Sequence, residues 1–153
     1  MRLYFIALFI SVGTISFGQT STKIDSLTFC FTKYKVPTGC TAESEYQVTC
    51  DNYKINWLYM NEQMLQVMPG KFVNLMAGDL KKFKKEKITC YLLDKEVKGY
   101  KISFKNDKEI RYQLIAYGVT NGQPVLVQLS LDIEPKTNDD IPSFPRQILR
   151  LTK

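Results

Sequence analysis

The sequence predicts an α+β fold: one curled antiparallel sheet of about six to seven strands, with one long central helix and a short C-terminal helix packed on it. Three observations predict it. Apolar residues alternate at period two on either side of the middle of the chain. Helical spacing of apolar residues fills that middle. Asn121-Gly122 is the dipeptide that a two-residue hairpin loop prefers.

Leu27, Phe29 and Phe31 alternate, and so do Tyr46, Val48 and Cys50. Both sets read as strands, divided by the turn-rich VPTGCTAES. Tyr53, Ile55, Trp57 and Tyr59 form a third set after a break at Asp51-Asn52. Asn61 is an N-cap for NEQMLQVM, which Pro69-Gly70 interrupts. Phe72, Leu75, Met76, Leu80 and Phe83 resume at helical spacing. The long helix is therefore expected from about Gly70 to Lys85, alone or as the second of two meeting at Pro69. That places the lysine run KKFKKEK at its C-terminal end, where cations suit the helix dipole.

The chain then becomes strongly β. Tyr100, Ile102 and Phe104 match Ile110, Tyr112 and Leu114 in parity. A two-residue loop at Asn121-Gly122 sets a register, with Ala116 opposite Val127, Leu114 opposite Leu129, Tyr112 opposite Leu131 and Ile110 opposite Ile133. On the other face Arg111 meets Asp132, and a one-residue slip would destroy every match. EPKTNDD is a loop, and Asp140, Pro142 and Ser143 introduce a short helix carrying Phe144, Ile148 and Leu149.

The first residues read differently. Met1-Arg2 is a short positive start, Leu3 to Val12 is apolar except for Ser11, and Ser16 and Gly18 are small. Residues 1–18 read as a secretory signal peptide cleaved near Gly18-Gln19. Leu3–Phe17 is 15 residues, short of the ~20 a spanning helix needs. Residues 19–153 then form a single α+β domain, secreted or periplasmic and not an integral membrane protein.

All four cysteines, Cys30, Cys40, Cys50 and Cys90, lie in the exported part, where an even count favours two disulfides. Their spacings of 10, 10 and 40 do not match the close pairs of a zinc site. Three connectivities are open. Strand parity ranks Cys50–Cys90 with Cys30–Cys40 above Cys30–Cys90 with Cys40–Cys50, because Cys30 falls opposite Phe29 and Phe31 and so points away from the core.

The order of elements, and an ending in which two long strands lead through a polar loop to a short apolar helix, resembles the PsbP/DcrB-like α+β fold. The residues that carry the resemblance are KGYKISFKNDKEIRYQLIAYGVTNGQPVLVQLSL and IPSFPRQILRL, about the last half of residues 19–153. It implies an exported accessory or binding protein rather than an enzyme, and no functional residue is carried over.

The chain has no His. That removes Ser-His-Asp and Cys-His nucleophilic sites in their usual form, and His-ligated metal centres. No Gly-rich phosphate loop, dinucleotide fingerprint or nucleophile elbow is present, and no cofactor is implied. Lys101 and Ser103 sit in an ordinary amphipathic strand. Asp51, Asp79, Asp94 and Glu96 are the acids a glycoside-hydrolysing pair could draw on. Met60, Met64, Met68 and Met76, with Phe72 among them, fit a packing face better than a soft-metal site.

Two features suggest recognition. Lys81, Lys82, Lys84, Lys85 and Lys87 concentrate much of the chain's +6 charge, suited to an acidic protein partner or an anionic surface. Export and the absence of interleaved stacking aromatics argue against nucleic acid. Trp57, with Tyr53 and Tyr59, forms a second candidate surface if its face is open. The expected function is an exported, non-catalytic binding or accessory protein acting through a protein partner, an immunity-type inhibitor being one version. The alternatives are a small carboxylate-dependent hydrolase of cell-wall or glycan substrates, and a polyanion or membrane-surface binder using the lysines.

Overall fold

The computed structural model describes residues 23–153. The signal-peptide reading of residues 1–18 falls outside the described residues.

β1 (Ser26–Phe29) and β2 (Thr32–Lys35) form a hairpin of their own. β3 (Thr41–Ser44), β4 (Gln47–Thr49) and β5 (Tyr53–Tyr59) follow, then α1 (Glu62–Asp79). β6 (Lys81–Leu92), β7 (Lys95–Asn106), β8 (Glu109–Thr120) and β9 (Gln123–Leu131) form a meander of long strands. A 3₁₀ turn (Asn138–Asp140), α2 (Ser143–Arg146) and β10 (Leu149–Arg150) close the chain. Eight strands make one antiparallel sheet in the order β10-β6-β7-β8-β9-β5-β4-β3.

This corrects the expected α+β sheet of six to seven strands. Ten strands in two sheets take up 53% of the described chain and helices only 19%. β2 and β3 carry the short polar sequences TKYK and TAES, and β10 is only the pair LR. None holds an apolar alternation long enough to signal a strand. Each is a strand because a neighbour offers a ladder: β1 for β2, β4 for β3 and β6 for β10.

α1 also departs from expectation. It begins where the N-cap was read, with Asn61 Oδ1 accepting from Met64 N at 2.8 Å. It then runs through Pro69-Gly70 and ends at Asp79, short of Lys85. A proline inside a helix removes one main-chain bond. Here Leu65, Pro69 and Val73 are buried together, and their packing holds the helix across the break. At the other end of the chain α2 is a single turn, and Leu149 belongs to β10 rather than to a helix.

The β8–β9 hairpin has the expected register: Ala116 pairs with Val127, Leu114 with Leu129 and Tyr112 with Leu131. Asn121 and Gly122 sit at φ +49° and +75°, the left-handed pair of a type I′ loop. Arg111 and Asp132 form an ion pair on the opposite face. Ile110 and Ile133 lie beyond the sheltered part of the hairpin and are exposed.

Both faces of the large sheet are covered. On one face lie the β1–β2 hairpin and the C-terminal segment. There Phe29 meets Trp57 edge to face at 5.4 Å, and Ile141, Phe144, Ile148 and Leu149 join Ile55, Val127 and Leu129. On the other, α1 sets Val73 against Ile102, Ile115 and Leu126.

The cysteines overturn the preferred pairing. Cys40 and Cys50 are bridged, with Cα atoms 4.4 Å apart, while Cys30 and Cys90 are free and buried. Cys40 precedes β3 and Cys50 follows β4, so pairing of Thr41 with Thr49 brings them together. A Cys50–Cys90 bridge is excluded by strand order, since β5, β9, β8 and β7 separate β4 from β6. Cys30 fails its parity assignment because the strand ends at Phe29 and the chain turns at Cys30-Phe31.

Candidate functional site

The lysine run lies on β6, not at a helix end as expected. β6 pairs with β7 from Lys81 to Leu92, and this ladder draws KKFKKEK into extended backbone. The register shifts between Lys81 and Lys84, where Lys82 takes φ +51°. From Lys84 onward the pairing is regular, and side chains alternate. Lys84 and Glu86 share the face that carries the large core, while Lys85 and Lys87 share the α1 face. Lys81, Lys82, Lys84, Lys85 and Lys87 are all exposed. Among the described residues, none of the five lies within ion-pair distance of a carboxylate. Lys85 Nζ donates to Asn74 Oδ1 of α1 at 2.8 Å.

β6 is an edge for most of its length. Among the described residues, its outer side meets β10 only at Tyr91 and Leu92. Lysines on an exposed edge strand blunt pairing with other strands.

Two shallow clefts open beside this edge, past the end of the large core. One, of about 440 Å³, is lined by Lys82, Lys84, Ser103, Lys105, Tyr112 and Glu134. The other, of about 290 Å³, includes Lys84, Glu86, Lys101 and Glu134. Lys101 Nζ lies 3.3 Å from Glu134 and 3.8 Å from Glu86, so it is engaged by two carboxylates and not poised against Ser103. The sequence does not single out Lys105, and it does not join Ser103 and Tyr112 to the lysines. Their signal was register: Lys105 is cross-strand to Lys81, and Ser103 joins Lys84 to Tyr112 in one row.

Trp57, the second candidate, is only 3% exposed and packs against Phe29, so it cannot meet a partner. The exposed aromatics lie nearby instead. Phe31 is 74% exposed at the tip of the β1–β2 hairpin. Cys30 and Phe31 take φ +46° and +68° there without any glycine. Two hydrogen bonds secure the tip: Cys30 N donates to Tyr59 Oη at 2.7 Å, and Asn121 Nδ2 donates to the Cys30 carbonyl at 3.2 Å. A cleft of about 390 Å³ lies beside it, lined by Cys30, Phe31, Tyr46 and Tyr59 among others.

The free thiols of Cys30 and Cys90 are buried. Burial pushes the Cys30 thiol up to about 11, against a small opposing effect of the Tyr59 hydroxyl, and pushes Cys90 up to about 12. At neutral pH both are protonated, and the thiolate is the form that attacks. Asp51, Asp79, Asp94 and Glu96 are all exposed. Asp94 pairs with Arg150 at 2.6 Å, and Glu96 accepts from Tyr91 Oη at 3.2 Å. The methionines divide: Met60 and Met76 pack on the smaller core, while Met64 and Met68 are exposed. No described helix is long and apolar enough to cross a membrane.

No family model matches this chain, and no curated protein matches it either.

Proposed function

We propose that this is an exported, non-catalytic binding protein that recognises an acidic protein partner through the basic edge of β6. The observation that carries the reading is the arrangement of Lys81, Lys82, Lys84, Lys85 and Lys87: exposed, without ion pairs among the described residues, on a strand whose outer side is open. Like charges held this densely raise the local potential and speed association with an opposite charge. The Cys40–Cys50 bridge supports an oxidising compartment, and with it the signal-peptide reading of residues 1–18. The PsbP/DcrB-like resemblance of the C-terminal half accords with an accessory role, and an inhibitor that occludes a toxin or hydrolase is its concrete version.

The test uses purified protein as bait in an envelope extract of its own cells. A discrete acidic protein is retained at low salt and released as ionic strength rises. The Lys→Gln variant at all five positions keeps its circular dichroism and melting behaviour and retains nothing. If that variant retains the same protein equally well, the β6 edge is not the recognition surface. Turnover of a glycan, abolished by one Asp or Glu substitution, would replace the reading with a hydrolase.

A further inference from the structure

From Lys84 to Cys90, β6 carries a regular ladder to β7 on one side and no strand among the described residues on the other. In an antiparallel strand every second residue points its N–H and C=O outward. The open side is therefore a row of unpaired main-chain donors and acceptors, the template that strand addition uses. The row has defined ends. The backbone irregularity at Lys82 closes one, and β10 closes the other at Tyr91 and Leu92.

The side chains along that row select what can pair with it. A strand laid beside β6 brings its own side chains to about 4.5–5.5 Å from those opposite, on both faces. One face presents Lys84 and the other Lys85 and Lys87, while Glu86 is already engaged with Lys101. A second copy of this chain would set lysine against lysine. A segment rich in Asp or Glu would form main-chain bonds and cross-strand ion pairs together.

We infer that β6 binds its partner by strand addition, and that the incoming segment is an extended, acidic stretch with carboxylates on both faces, spanning the window Lys84–Cys90. This rests on the reading of the basic edge proposed above and states how that edge is used.

The test uses the full chain and a synthetic peptide of about nine residues, built of Glu with Val and Thr so that carboxylates fall on both faces. Two further versions are N-methylated at alternate residues, one along each edge. Affinity is read by fluorescence anisotropy, and amide hydrogen exchange is followed residue by residue over 84–90. The expected result is that methylation along one edge weakens binding by at least about tenfold while methylation along the other does not. The outward amides of 84–90 slow on binding, and the K84Q/K85Q/K87Q variant binds more weakly, with a flatter dependence on salt. If both methylated peptides bind like the parent while the lysine dependence persists, strand addition is wrong and the acidic-partner reading stands. If the parent peptide binds the triple variant unchanged, or does not bind the native chain, both fail. If heparin or phosphatidylglycerol vesicles bind through the lysines, leave the 84–90 amides unprotected and displace the peptide, β6 is a polyanion surface and the inference is overturned.

Discussion

Gly99 and Gly118 show how closely the long strands approach their neighbours. A Cβ on Gly99 would lie 2.6 Å from the Ile115 carbonyl oxygen and 3.0 Å from Cys90 Sγ. On Gly118 it would lie 2.5 Å from Val97 Cγ1. The two obstacles differ in kind. One is backbone within a ladder, and the other is a side chain that can be shortened. Gly118→Ala should destabilise the fold by roughly 1–3 kcal/mol, as overpacking does. Adding Val97→Ala should recover part of that loss, visible as a coupling in a double-mutant cycle by urea unfolding. The same cycle with Gly99→Ala and Cys90→Ala should show weaker coupling, because the Ile115 carbonyl stays in place. Equal rescue in both cycles would mean that the sheet shifts to admit the Cβ.

At the scale of elements, the N-terminal strands depend on local ties. β3 and β4 are three to four residues each, and the Cys40–Cys50 bridge closes their hairpin. Closing a loop of this length restricts the unfolded chain by about 2–3 kcal/mol. C40S/C50S should lower stability by that order in urea unfolding, while the β6–β9 amides keep their exchange protection. Unchanged stability would show that β3 and β4 are held by β5 alone. β6 makes a separate point about its lysines. If they guard the open edge against self-pairing, K84V/K87V should form concentration-dependent oligomers that the native chain does not in sedimentation velocity. A variant that stays monomeric at high concentration would leave partner recognition as the sole account of the cluster.

For the whole molecule, the buried thiols and one loop carboxylate set opposite limits on stability with pH. Burial raises the folded-state values of Cys30 and Cys90 from 9.0 to about 11 and about 12. The folded state therefore holds protons that the unfolded chain releases. The corresponding stability is complete below pH 9 and is lost as pH rises through the folded values. Tyr34, Tyr53 and Tyr59, also raised by burial, act in the same direction. Asp140 is the reverse case. It accepts from the Thr137 and Lys136 main-chain N–H groups at 2.7 and 2.9 Å, and these bonds lower it from 3.8. Its contribution is present above 3.8 and disappears as pH falls through its folded value. The urea midpoint should be level near neutrality, fall above pH 9 and fall below pH 4. The C30A/C90A variant should show a shallower alkaline decline, and an unchanged slope would assign that decline to the tyrosines.

Features that depend on neighbours along the chain are legible in the residues alone. Asn121-Gly122 fixed the β8–β9 register, because turn geometry and side-chain parity constrain the same pairing. Asn61 fixed the start of α1 through its own side-chain bond. The five lysines stood out as a group by composition alone. Tertiary structure decided where distant segments meet. In KKFKKEK the one apolar residue, Phe83, falls at helical spacing and lysine favours helices, so only the ladder with β7 made it an edge strand. Cys30-Phe31 lacks the Gly or Asn that announces a left-handed turn, and hydrogen bonds from the chain to Tyr59 Oη and from Asn121 secure it. Cysteine pairing followed strand order, which parity along one strand does not contain. Trp57 looked the same whether buried or open, until the β1–β2 hairpin laid Phe29 across it. Local chemistry specifies turns, caps and charge, whereas burial and pairing depend on which surface another part of the chain arrives to cover.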